Sequence, residues 1–211
     1  TLFRSAAQGV DPGLYSKKLM SGVLEYCAQT PHQDPYFYLY HAWRDCWGML
    51  GSSTALLCSI DEEMTLRVCN VGDSALAVYR GETTVFRTNE QTHGWNFPYQ
   101  LGYGGDDVAS AERLQVRGVE PGDIIVLGSD GVWDNLFNHQ IVGAIKKHPS
   151  DLQAIANEIA EQAHQIGHDE TVASPFAVSS GGRFMGGKLD DVTVIVAEIV
   201  VTPPQSIQAR L

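Results

Sequence analysis

Apolar residues recur every three to four positions in the first fifty residues, and from Gly51 onward they alternate with polar ones, so the chain reads as helices followed by a strand-rich block. Asp11-Pro12-Gly13 has the chemistry of a helix start, with Asp as N-cap and Pro at the first position, and Leu19, Val23, Tyr26 and Cys27 form a stripe behind it. A second amphipathic helix is expected within residues 34–47, carrying Phe37, Tyr40, His41 and Trp47. His41 and the tryptophans are read there as core packing. Strands are then expected at 53–60, 65–71, 75–79 and 83–87. The polar Asp61-Glu62-Glu63 and the tight Arg80-Gly81-Glu82 connect them, which predicts an antiparallel meander against a helical layer. Residues 89–105, with several glycines and Pro98, read as a surface loop.

Residues 124–127 form the next strand, a short apolar run that ends in Ser129-Asp130-Gly131 and leaves the Asp130 carboxylate at its tip. Asn138 is expected to cap a short helix bearing Ile141, Val142 and Ile145, which stops at Lys146-Lys147-His148-Pro149. Ser150 and Gln153 suggest a capping box for a longer helix whose stripe of Leu152, Ile155, Ala156, Ile159, Ala160 and Ala163 closes near Gly167. Both helices are expected to cover one face of the sheet. A glycine-rich loop at 168–188 leads to Asp190-Asp191 and a last strand at 192–201, followed by a proline-containing tail.

Composition narrows the function. With 211 residues, 44% of them hydrophobic, the chain can bury a substantial core as one domain. Its net charge of −11 argues against nucleic acid or an anionic membrane surface as the main partner. No apolar stretch reaches the length of a membrane span, and the start is too short and mixed for a secretory signal. Cys27, Cys46, Cys58 and Cys69 show no zinc-ligand spacing and are read as buried, reduced thiols of an intracellular protein.

The candidate chemistry lies in acids at strand ends. Alone, Asp130 is an ordinary turn residue whose side chain bonds its own backbone. Asp190 and Asp191 stand just before another apolar strand, however, and two acid-tipped strands can converge on one hard cation such as Mg2+ or Mn2+. Gly72-Asp73-Ser74 is either an ordinary turn or a third acidic tip holding a weaker ion. His164 and His168 stand four apart, but the Glu of H-E-x-x-H is missing and Gly167 ends the helix there, so no metal role is assigned to them. No phosphate-cradling G-x-x-x-x-G-K-S/T loop, dinucleotide G-x-G-x-x-G or nucleophile elbow is present. Metal-assisted hydrolysis, in which cations activate water and clamp phosphoryl oxygens, is what remains.

Five stretches together resemble the type 2C metal-dependent protein serine/threonine phosphatases: Gly51-Ser52-Ser53-Thr54-Ala55, Asn70-Val71-Gly72-Asp73-Ser74, Arg80-Gly81-Glu82, Gly128-Ser129-Asp130-Gly131-Val132-Trp133-Asp134-Asn135 and Asp190-Asp191-Val192-Thr193-Val194. They occur in the family's order and spacing. Gly9-Val10-Asp11-Pro12, Asn89-Glu90-Gln91-Thr92-His93, Glu161-Gln162-Ala163-His164 and Ala173-Ser174-Pro175-Phe176-Ala177 are similar to its mitochondrial and plastid branch. The resemblance implies an α+β fold in which two antiparallel sheets pack as a sandwich between helix pairs. It implies Asp130 and Asp190 as metal ligands, with Asp191 counted in the same metal site where the family more often has Asn, and Asp73 available to a third ion. It further implies Mg2+ or Mn2+ as cofactor, a phosphorylated protein as substrate, a monomer and an organellar address.

The family's opening acidic strand and Asp-Gly-x-Gly-Gly turn are expected at or before Thr1, yet residues 1–9 contain no acid, and the phosphate-binding Arg of the family's first strand is likewise absent. Expected on that ground is a single phosphatase-like domain over residues 1–201, lacking its N-terminal edge, with residues 202–211 as a tail. It is either an enzyme in shortened form or a pseudophosphatase kept for binding.

Overall fold

The computed structural model describes residues 11–201. The opening stretch through Val10, where the branch resemblance begins, and the expected tail lie outside them. Helix α1 spans Pro12–Gln29 and α2 spans Pro35–Asp45, each entered through an aspartate cap. Asp11 accepts from the Gly13 amide at 2.8 Å and Asp34 from the Tyr36 amide at 2.9 Å, satisfying donors that a helix start leaves free. The short β1 (Ser52–Ser53) is followed by β2 (Ala55–Ile60), β3 (Leu66–Val71), β4 (Ala75–Arg80) and β5 (Thr83–Arg87). Next come β6 (Thr92–Gly94), β7 (Phe97–Pro98), β8 (Leu101–Gly102), β9 (Glu112–Val116) and β10 (Ile124–Gly128). The single turn α3 (Asp130–Trp133), then α4 (Asn138–Lys147), α5 (Leu152–Gly167), α6 (Pro175–Ser179) and β11 (Val194–Glu198) complete the order.

Two antiparallel sheets form the centre, one in the order β11-β10-β4-β5 and the other in the order β2-β3-β9. Period-two alternation sends each strand's side chains to two different layers. Leu76 and Val78 of β4, Ile125 of β10, and Leu66 and Val68 of β3 meet between the sheets. Ala75, Ala77 and Tyr79, with Ile124 and Val126, face Ile141, Ile145, Ile155 and Ile159 of α4 and α5. On the far side Cys69 and Val71 of β3 pack on Tyr15, Leu19, Leu39 and Ala42 of α1 and α2. The result is the expected helix, sheet, sheet, helix stack. Where β4 ends, Arg80 donates from Nε and Nη2 to the Asp123 carboxylate at 2.8 and 2.9 Å, and these bonds hold that 1%-exposed acid below the usual carboxylate range.

Several local expectations are corrected. The strand block is not one meander. After β3 the chain crosses at Gly72-Asp73-Ser74 to the other sheet, because alternation fixes which face a residue takes but not which strand it pairs with. Residues 89–105 are partly ordered into strands, with β6 on β7 and β8 on β1. The last strand is shorter than expected, and β9 and α6 were not foreseen. Asn138 is the first residue of α4, not its cap, and its Oδ1 accepts from the Tyr79 hydroxyl at 2.8 Å. The α5 cap is Asp151, whose carboxylate accepts from the Ala154 amide, in place of Ser150. In α2 the buried face is Tyr38, Leu39 and Ala42, whereas Trp47, beyond its end, is 81% exposed. Of the cysteines Cys46 and Cys69 are buried, Cys58 is intermediate and Cys27 is exposed.

Candidate metal centre

The acids converge where β10 ends and the chain approaches β11. Ser129, directly after β10, ties the two tips together. Its amide donates to the Thr193 carbonyl at 3.1 Å, its hydroxyl donates to the Asp191 carbonyl at 3.1 Å, and the same oxygen accepts from the Thr193 amide at 3.0 Å. Gly131 makes the close approach possible. A Cβ there would stand 2.4 Å from the Asp191 carbonyl oxygen, so any larger residue would push the tips apart. Trp133 fastens α3 to the sheet, its indole N–H donating to the Gly128 carbonyl at 2.9 Å and the Ala75 carbonyl at 3.1 Å. Asp130 and Asp134 stand four apart on this turn and so share one face.

Lys188 lies at the meeting point. Its Nζ is 2.7 Å from Asp130 Oδ2, 2.7 Å from Asp134 Oδ2 and 3.3 Å from Asp190 Oδ2, and the side chain is 15% exposed. Its backbone is gripped by the buried Asn135, whose carboxamide donates to the Lys188 carbonyl at 2.8 Å and accepts from the Lys188 amide at 2.9 Å. Gly187 precedes it because the chain passes against the end of α5, where a Cβ would collide with the Ile166 carbonyl. Burial alone would lower the Lys188 ammonium, but the charges of Asp134 and Asp130 outweigh it and raise it well above the usual lysine range.

Asp73 comes from the sheet crossing and shares a pocket of about 130 Å³ with Asp130 and Asp134. Burial, and then the neighbouring Asp130 charge, push the Asp73 carboxyl up to about 7. Burial likewise raises Asp134, against the lowering effect of Lys188. A larger cleft of about 1010 Å³ is lined by Asp73, Asp130, Lys188 and Asp190, with His164 and His168 also on its wall. The two rings meet edge to face at 4.4 Å, and a ring nitrogen of His168 is 2.9 Å from the His164 carbonyl oxygen.

Of the residues singled out in the sequence, Asp130 and Asp190 are brought together on one cation, and Asp73 stands beside Asp130. The Asp191 side chain is exposed, and Asp191 braces the tip through its backbone carbonyl. Lys188, Asp134 and Asn135 were missed as site residues. The i,i+4 spacing of Asp130 and Asp134 after a strand end was the signal that could have found the second acid.

Among the described residues no three acidic, histidine or cysteine side chains enclose a metal ion by themselves. The carboxylates nonetheless fit a hard cation. Their donors are all oxygen, they come from both strand tips, and they already hold one positive charge, the Lys188 ammonium.

Comparison with known proteins agrees with the fold and the motif order. The family described as Stage II sporulation protein E (SpoIIE) matches residues 38–200. "Probable protein phosphatase 2C 80" of Arabidopsis thaliana is 39% identical over 205 residues, covering 92% of this chain and 49% of that protein. The chain thus spans about half the length of the first relatives it matches. The X-ray structure of the photosystem II phosphatase PBCP superposes with a TM-score of 0.85 at 31% identity, covering 92% of this chain and 82% of that one. The catalytic domain of the serine threonine protein phosphatase PstP, in complex with two manganese ions, shares the fold at a TM-score of 0.61 and 16% identity, over 90% of this chain and 82% of that one. The matching α+β sandwich, the ordered acidic tips and these likenesses converge on one conclusion: the chain belongs to the SpoIIE and protein phosphatase 2C family of phosphatase domains.

Proposed function

We propose that the protein is a metal-dependent serine/threonine phosphatase that hydrolyses phosphoserine and phosphothreonine in proteins. The observation that carries this reading is the convergence of Asp130, Asp134 and Asp190 on a single cation at the wall of an open cleft. Asp130 and Asp190 would hold Mg2+ or Mn2+ of a dinuclear centre, and Asp73, with Asp134, a further ion. Bound divalent cations supply acidified water and charge neutralisation for the phosphoryl oxygens. The chain's own part is to fix the carboxylates. Ser129 and Gly131 set the spacing of the tips, Trp133 anchors the α3 turn, and Asn135 fixes the backbone of residue 188. The family's manganese-bound and photosystem II members, together with the branch motifs, support Mg2+ or Mn2+ as cofactor and an organellar location. The described residues contain no helix long and apolar enough to cross a membrane. A monomer built as one phosphatase unit over residues 1–201 is part of the same reading.

A second reading is a pseudophosphatase in which Lys188 is a permanent counter-ion and the cleft only binds. The specific observation favouring it is that same ammonium seated among the acids. Manganese-dependent phosphate release from a phosphothreonine peptide, measured on the full-length gene product with and without EDTA, separates the two. The enzyme reading expects turnover that EDTA abolishes. A folded protein that binds the peptide and releases no phosphate at any metal concentration would establish the second.

A further inference from the structure

The family's chemistry calls for divalent cations, yet this chain places an amine among the acids that would hold them. We propose that the Lys188 side chain is a tethered monovalent cation that occupies the cation position in the metal-free protein and leaves it when a divalent ion binds. The inference rests on the metal-dependent reading above and adds a residue that sets how readily the centre loads.

Three features of the structure support it. Nζ is within 3.3 Å of three carboxylates, so it neutralises one of their three charges and leaves a net negative site that still attracts a cation. A divalent ion on the same oxygens would repel an ammonium at that distance, so the two cannot share the position. The backbone of Lys188 is fixed by both ends of the Asn135 carboxamide, whereas the side chain is a flexible four-carbon stem bordering the large cleft. Departure therefore needs rotation of one side chain and no movement of the strands. The Phe176 ring, 5.8 Å from Nζ, flanks the seated position with an aromatic surface.

Two consequences follow. The acid cluster keeps a counter-charge when metal is scarce, so the metal-free fold is not left with unpaired, half-buried carboxylates. Divalent ions must displace the amine, so the apparent affinity is reduced by the fraction of molecules in which it is seated.

The test is manganese binding followed by titration calorimetry on the full-length protein and on Lys188→Met. The variant is expected to bind Mn2+ about tenfold more tightly, because the internal competitor is gone. Without metal it is expected to melt about 5 °C or more below the unaltered protein, and Lys188→Arg, which keeps the charge, is expected to restore most of that loss. Equal or weaker Mn2+ binding by Lys188→Met would overturn the inference while leaving the metal centre standing. No Mn2+ binding by either protein would overturn the metal reading and the inference with it. Should Lys188→Met fail to fold, labelling of amines in the unaltered protein decides the matter. Labelling of Lys188, read by mass spectrometry, is expected to rise several-fold when Mn2+ saturates the site, while the exposed Lys17 and Lys18 stay constant. Unchanged labelling of Lys188 in the metal-loaded protein would contradict its departure.

Discussion

Replacing Asp130 with Asn is expected to lower manganese-dependent phosphate release by about a thousandfold with little change in melting temperature. Asp130 is the acid that both the Lys188 geometry and the strand-end position single out. Asn preserves its shape, and the Asn oxygen can still accept from the Gly131 amide, as Asp130 Oδ1 does at 3.0 Å. What disappears is one negative charge at the point where a divalent ion is to be held. A loss of about 4 kcal/mol in transition-state stabilisation corresponds to about a thousandfold in rate. Asp190→Asn is expected to behave in the same way. Asp191→Asn, at an exposed side chain outside the Lys188 contacts, is expected to change turnover far less. Near-normal, manganese-dependent turnover in both Asp130→Asn and Asp190→Asn would show that the centre lies elsewhere.

Trp133→Ala should give the largest loss of stability around the site, about 3–5 kcal/mol by urea denaturation. The indole is 3% exposed and packs in the core between the β4/β10 face and α4 and α5. Its removal opens a cavity that the surrounding β-sheet cannot close. It also deletes the single donor shared by the Gly128 and Ala75 carbonyls, and the ring on which the Arg87 guanidinium stacks at 4.5 Å. The effect should reach the acids too, because the same indole pins the turn that carries Asp130 and Asp134. Trp133→Phe keeps most of the volume and is expected to lose less stability than Trp133→Ala. A cost below about 1 kcal/mol for Trp133→Ala would mean that the turn is held by other contacts.

Much of the fold was legible because alternation is a local property. Leu76, Val78, Ile125 and Val126 announce strands buried on both faces, and the stripe of Ile155, Ile159 and Ala163 announces a helix lying on them. The crossing between sheets at residues 72–74 was not legible. The same pattern serves a meander or a sandwich, and only packing decides. β9 was hidden because Glu112-Arg113-Leu114-Gln115-Val116 offers few apolar residues at the sheet edge. Helix entry was misassigned by one position at Asp151, where Ser150 is an equally good cap by chemistry.

The site shows the same division. Asp130 and Asp190 could be read from their places at strand ends. What marks the meeting of the acids is Lys188, whose three partners are separated from it by 58, 54 and 2 positions, with Asn135 reaching 53 residues to hold its backbone. No local pattern encodes that meeting. In the sequence Lys188 looks like a solvated charge beside two acids, and only the fold turns it into their counter-ion.

The Asp130 and Asp190 carboxylates are proposed to form the divalent-cation site. The most direct test is anomalous scattering from crystals of the full-length protein grown with Mn2+. Expected is a manganese peak bound by the Asp130 and Asp190 carboxylates, with the Lys188 amine withdrawn from them. Manganese absent from these acids at saturating concentration, with Lys188 still seated between them, would contradict that assignment.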